Sequence, residues 1–318
     1  MTKKERFTAA LLRKIPDRIP TFELEFQLED EIFGRSFDYS LISRENLSSC
    51  GAREYDKILH ELAEHNADLF LNKLDYDCIP LCGPQNPDLE KDLTEYIKIL
   101  RKLVGEDVCM WFHGDGTYSI PDGNEMYEFA YSLADDFEGV LEKAAQKADA
   151  AIERNKRYAD AGVDIFGLCS DYCYNSGPFV SPEMFSEIIF PYLSKIIEEI
   201  RKMGCYAIKH TDGNIMPIID MLVDSNPHAL HSLDPMAGVD IKLVKERYGG
   251  KVALCGNVNC ALLQTGTDDE VRESIDYCLT YGKPNGGYIF CTSNVAFKGM
   301  PPERYNMMLE IWKQNRDY

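Results

Sequence analysis

Hydrophobic positions along this chain fall into two alternating patterns. Short apolar or period-two runs occupy residues 20–26 (PTFELEF), 68–74 (DLFLNKL), 108–114 (VCMWFHG) and 164–169 (DIFGLC). Four more follow at 206–211 (YAIKHT), 229–234 (ALHSLD), 252–257 (VALCGN) and 287–292 (GYIFCT). Runs of this length predict strands, and the continuous ones predict strands buried on both faces. Between the later runs lie longer stretches with helical periodicity. Residues 181–204, SPEMFSEIIFPYLSKIIEEIRKMG, open on a Ser-Pro-Glu start signal and stop at Gly204. Residues 267–282, TDDEVRESIDYCLTYG, open on Thr with an acidic first turn and end at Gly282. There is no linker, low-complexity segment or short repeat. Eight strands, each followed by a helix or connecting loop, predict the α/β class: one (β/α)8 TIM barrel domain over 1–318, with an N-terminal helical extension. An open doubly wound sheet is the alternative, but no glycine-rich first βα turn supports it.

In such a barrel, function belongs to the C-terminal ends of the strands. The polar residues expected there are Glu23, Glu25, Asp75, Asp77, His113, Asp115, Asp171, Tyr172, His210, Asp212, Asn214, Asp234, Asn257, Asn259, Cys291, Ser293 and Asn294. They form an acidic rim that carries histidine. In IKHTDGN, His210 and Asp212 alternate on one face, so both side chains project toward the predicted cavity. The competing reading is a buried His210 held by Asp212, with Asn214 capping the next helix. Glu23 and Glu25 also share a face; pointing inward, their repulsion would raise one pKa and make a general acid. Pointing outward, they would be solvated edge charges. Cys291 reads as a small buried apolar residue or as a ligand. Trp111 falls near the rim, and Trp312 in a C-terminal helix suited to the core.

Charge narrows the partners. The 318 residues carry a net charge of −19 with no basic run, which excludes nucleic acid as a partner and weighs against a polyanionic substrate. No apolar run suits a signal peptide or a membrane span, so the expected location is cytoplasmic, without membrane contact. Eleven cysteines without a CxxC pair read as reduced thiols; the spacings Cys78/Cys82 and Cys169/Cys173 read as coincidence.

DRIP after an amphipathic N-terminal stretch, the 181–204 helix, KHTDGN, HSLDPMAGVDI, VALCGNVN and LLQTGTDDEV occur in an order that resembles the uroporphyrinogen decarboxylase superfamily. That superfamily includes the decarboxylase of haem synthesis and cobalamin-dependent methyltransferases, and it implies a (β/α)8 barrel. The decarboxylases carry an arginine-rich segment after the first strand, where this chain reads TFELEFQLEDEIFGRSF. The thiol-methylating branch binds zinc through His-x-Cys after strand five and a Cys after strand eight. Here His210 is kept, Asp212 stands at the first cysteine, and Asn294 at the second, with Cys291 three residues earlier. The resemblance therefore implies an O-demethylase-type methyltransferase, moving a methyl group from a small methoxylated or methylated donor to a corrinoid carried by a partner protein. It implies Zn²⁺ on His210, Asp212 and Cys291, catalytic roles for Glu25, Asp171 and Asp212, and donor contacts from Glu23, His113, Tyr172, Asn214 and Asn257. The alternatives are a lyase decarboxylating a carboxylated substrate and a non-catalytic corrinoid- or ligand-binding scaffold. Several relatives dimerise, so a homodimer is compatible with the resemblance.

Overall fold

A computed structural model describes residues 1–81 and 90–318; Cys82 lies outside the described residues. Among the described residues, seven parallel strands follow one another around the sheet in chain order: β1 (Cys78–Pro80), β2 (Cys109–His113), β3 (Ile165–Leu168), β4 (Tyr206–His210), β5 (Ala229–His231), β6 (Ala253–Cys255) and β7 (Tyr288–Ile289). Residues 20–26 fill the remaining gap. The Phe290 amide donates to the Pro20 carbonyl and the Asp77 amide to the Thr21 carbonyl, each at 2.9 Å. The stretch thus lies between β7 and β1 and closes an eight-staved barrel, as the strand count predicts. It is irregular, with isolated bridges only at Thr21 and Phe26 and a bend at Leu24.

Helices surround this barrel, including Glu90–Val104, Phe137–Ala161, Asp268–Gly282 and Pro302–Asn315. Their starts follow the expected chemistry. Thr267 and Glu270 form a reciprocal capping box, and the Ser181 hydroxyl accepts from the Met184 amide. The 181–204 stretch forms two helices, Pro182–Ile188 and Phe190–Lys202, broken at Ile189. Pro191 belongs to the first turn of the second, where its missing N–H costs nothing. The helix Lys3–Leu11 packs against β7, β1 and β2 at the barrel's lower end, where the Lys4 amide bonds Asp107 ahead of β2.

One strand expectation is corrected. Residues 68–74 continue the helix Ala52–Ala67 as a π-helical turn, Asp68–Lys73. The apolar run in DLFLNKL is the tail of a helical stripe, for Ile58, Leu59, Leu62, Ala63, Asn66, Leu69 and Phe70 are all buried at three- and four-residue spacings. The true strand is β1. Asp75 and Asp77 therefore lie at the lower end, tied to Lys3, Arg6, Arg18 and Arg316, away from the functional rim.

Candidate functional site

The interior end of β4 and β5 sets the chemistry. Register pairs His210 with His231, so both imidazoles point the same way from adjacent strands. Their Nδ1 atoms are 2.7 Å apart, a contact that accommodates one proton. With that proton on His210, its Nε2 offers a lone pair toward the rim. There it meets the carboxylates of Asp171 and Asp212, each 3.8 Å away. The ligand atoms of Asp171, His210 and Asp212 all lie within 4.8 Å of one another. Burial, helped by Lys209 and His113, lowers the His210 pKa to about 3. Burial also draws His231 well below its ordinary value, and its Nε2 is buried without a partner among the described residues. Both rings are therefore neutral at pH 7.

Asp212 is held from two sides. Ser232 Oγ donates to Oδ1 at 2.7 Å, and Asn294 Nδ2 donates to Oδ2 at 2.5 Å. Burial, with Asp171 and Asp234 beside it, outweighs the Ser232 bond and raises its pKa to about 6. Ser232 reaches it because the chain leaves β5 with positive φ at Ser232 (78°) and Leu233 (48°), a conformation costly for residues with a Cβ. The Asp-Gly pair of HTDGN has its own reason. Gly213 sits at φ 81°, where a Cβ would stand 2.3 Å from the Cys173 carbonyl oxygen.

Two cavities open at this end and share His113. One, of about 480 Å³, is walled by Leu24, Glu25, Phe26, Leu81, Trp111 and His113, with Glu29, Asp30, Tyr39 and Lys298 farther out. The other, of about 450 Å³, runs from His113 past Asp115, Asp122 and Ser170 to Asp171. Lys298 is the one lysine or arginine among these described lining residues, against six carboxylates. The surrounding protein keeps His113 below its usual pKa, against the pull of Glu25. Trp111 lies flat over Gly167, where a Cβ would stand 2.2 Å from the indole.

The structure thus brings Asp171, His210 and Asp212 together and sets Glu25 and His113 at the cavity mouth. It separates the others from them. The bend at Leu24 splits the glutamates: Glu25 is exposed, whereas Glu23 is sealed from solvent and accepts from the amide and hydroxyl of Thr292. Burial raises the Glu23 pKa to about 8, against the bonds from Thr292 and Tyr305. The expected Glu23–Glu25 pair does not form. Tyr172 is fully buried, its hydroxyl bonded to Thr117, so it faces the barrel wall. Asn214 accepts from the Met216 amide in a turn and does not cap the next helix, Ile219–Asp224, whose N-cap is Ile218. Asn257 is buried between the Leu233 carbonyl and Cys278. Cys291 is fully buried, its thiol pushed far above its ordinary pKa, and the cluster of candidate ligand atoms among the described residues excludes it. Its thiol neighbours Glu23, Cys255, Cys260 and Cys278.

Sequence reasoning missed His231, Ser232 and Lys209. The first repeats the visible pattern of IKH in ALH, histidine ending a buried strand; the others carry no local signal.

A family model described as uroporphyrinogen decarboxylase (URO-D) matches residues 117–315. The uroporphyrinogen decarboxylase of Pseudoalteromonas translucida is 23% identical over 250 residues, 73% of this chain and 65% of that protein. That of Shewanella halifaxensis is 23% identical over 241 residues, 69% of this chain and 63% of that protein. The matched part is thus less than two thirds of either relative's length. A solved structure described as a methyltransferase from Methanosarcina mazei superposes with a TM-score of 0.68 at 20% identity, covering 99% of this chain and 98% of that one. That likeness establishes the fold. No helix among the described residues is long and apolar enough to cross a membrane.

Proposed function

The chain belongs to the uroporphyrinogen decarboxylase (URO-D) family, and from that premise we propose that it is a corrinoid-dependent methyltransferase, taking a methyl group from a small methoxylated or methylated donor. The observation that carries this reading is the convergence of Asp171, His210 and Asp212 at the strand ends, with Asp171 lining a cavity that shares His113 with the one walled by Trp111. An octacarboxylate substrate would meet six acidic side chains and one lysine there, which opposes binding.

The donor set suits zinc in kind: one imidazole nitrogen and two carboxylates, whose ligand atoms, within 4.8 Å of one another and 3.8 Å from His210 to each carboxylate, would close around an ion bound at about 2.0–2.2 Å. A zinc ion bound there would supply Lewis acidity to the oxygen that keeps the electrons when the methyl group departs. The protein's own groups prepare that event. His231 fixes the His210 ring, while Ser232 and Asn294 fix Asp212, leaving His210 Nε2 to face Asp171 and Asp212. Trp111 and Leu81 give the donor an apolar wall, and His113, neutral at pH 7, offers a hydrogen bond at the mouth. The corrinoid of a partner protein would approach from the open end of the barrel and accept the methyl group along its axis.

Decarboxylation is the second reading, favoured by Asp212, whose pKa of about 6 suits a proton donor. Elemental analysis of purified protein and of His210→Ala, followed by cob(I)alamin methylation with methoxyarenes, separates the two. Near-equimolar zinc lost in the variant, with methylation lost alongside, is expected. Carbon dioxide release without corrinoid, undiminished by zinc removal, would replace this reading with the second.

A further inference from the structure

The buried pair Lys209–Asp115 lies directly behind the proposed ligand trio and takes no part in the chemistry above. Strand alternation sends Lys209 to the face opposite His210, and its side chain is wholly buried. Its ammonium has three donors and three acceptors. Nζ lies 2.9 Å from the Leu168 carbonyl, 2.8 Å from the Ser170 carbonyl and 3.2 Å from Asp115 Oδ2. It also sits 3.9 Å from the Tyr172 ring centroid. Asp115 Oδ2 takes the Ser170 amide at 2.9 Å, and Oδ1 takes the amides of Gly116 and Thr117 and the Thr117 hydroxyl. Burial opposes ionisation of Asp115, but Lys209 and these bonds prevail and hold its pKa at about 2.

Of these contacts, those to the Ser170 amide, the Ser170 carbonyl and the Tyr172 ring fall on the loop that carries Asp171. Ser170 is gripped at its amide and its carbonyl. Tyr172 is gripped at its amide by Thr211 and at its hydroxyl by Thr117. The Asp171 carbonyl takes the Ile120 amide at 2.9 Å. The Asp171 carboxylate itself is nearly half exposed and, among the described residues, receives only the Asp212 amide, at 3.0 Å. Its aim toward His210 is therefore imposed through the backbone on either side of it.

We infer that Lys209 is a positioning residue: together with Asp115 it clamps the loop after β3 so that Asp171 faces His210 and Asp212. Strand β4 then supplies one ligand from its inner face and the support of a second ligand from its outer face. The inference rests on the reading of the trio as a metal site. It differs from a stabilising role, because a buried ion pair can often be replaced by neutral groups with little loss of stability.

The test is zinc affinity, by competition with a chromogenic chelator, and the visible spectrum of the Co²⁺ form, which reports the ligand set. Lys209→Met is compared with Asp171→Ala and with the combination of both. If Lys209→Met leaves Asp115 too costly to fold, Lys209→Met with Asp115→Asn removes both charges and replaces it in every comparison. We expect folded variants with zinc affinity lower by roughly 10- to 100-fold, as supporting residues of metal ligands show. Their Co²⁺ spectrum should resemble that of Asp171→Ala, and in the Asp171→Ala background Lys209 should change affinity less than about twofold. Wild-type affinity and spectrum in the folded variants would overturn the inference, as would a full further loss in the Asp171→Ala background. Zinc binding absent from the wild-type protein would overturn the metal site itself, and this inference with it.

Discussion

Glu23→Gln measures what a fully buried carboxyl costs this fold. In the unfolded chain Glu23 ionises near 4.5, whereas in the folded protein it keeps its proton to about 8. Below 4.5 both states are protonated and the side chain carries no penalty. Between 4.5 and 8 the unfolded chain releases a proton that the fold retains, so stability falls as pH rises; above 8 the loss is complete. At about 1.36 kcal/mol per pH unit, the gap corresponds to a ceiling of about 5 kcal/mol, which relaxation around the carboxylate reduces. Glutamine keeps the geometry without the titration. Its carbonyl can accept the Thr292 amide, now 3.1 Å from Oε1, and its NH2 can face the Thr292 hydroxyl, now 2.6 Å from Oε2. Urea unfolding at pH 5, 7 and 9 is the assay, read as the difference between variant and parent so that other titrating groups cancel. The two proteins should agree within about 1 kcal/mol at pH 5, and the variant should lead by about 3–5 kcal/mol at pH 9. Parallel curves across that range would refute the argument, showing Glu23 ionised or solvated in the fold.

Two further outcomes follow from packing and charge. Gly167→Ala places a Cβ 2.2 Å from the Trp111 indole, so we expect a loss of about 2–3 kcal/mol in chemical denaturation together with a shifted Trp111 fluorescence maximum. Arg6→Met strands Asp77, which has no exposed side-chain surface and then retains Arg18 at 3.5 Å as its nearest cation; about 3 kcal/mol should be lost, measured the same way at pH 7.

The barrel was legible because its later strands are continuous apolar runs between well-capped helices. The 68–74 run misled because the apolar end of a helical stripe, Leu69, Phe70 and Leu74 with Leu71, also reads as a short buried strand. Within the site, IKHTDGN announced His210 and Asp212 through their shared face. Asp171 was legible only as a polar residue after a strand, and its meeting with His210 depends on β3 and β4 being neighbours. Glu23 and Glu25 failed as a pair because period two holds only while the strand is regular, and the bend at Leu24 interrupts it. Lys209 shows a deeper limit. In YAIKH it looks like an exposed strand charge, and nothing local reveals that Asp115, Leu168 and Ser170 converge on it.

Closure of the barrel by residues 20–26 also shapes how the chain must fold. Thr21 finds its bridge partner in Phe290, 269 residues later, so the seam cannot form until nearly all of the polypeptide is available. Until then β1 presents a bare hydrogen-bonding edge, and Phe22 and the Lys3–Leu11 helix lack their final surface. Loop closure over such a span is entropically expensive before it is rewarded. During synthesis the sheet would therefore grow from β2 through β6 as an open trough, with sealing as the last event. An edge left open for that long is a place where a second unfinished chain can add a strand, and the irregular, proline-led seam at residues 20–26 offers it a poor template.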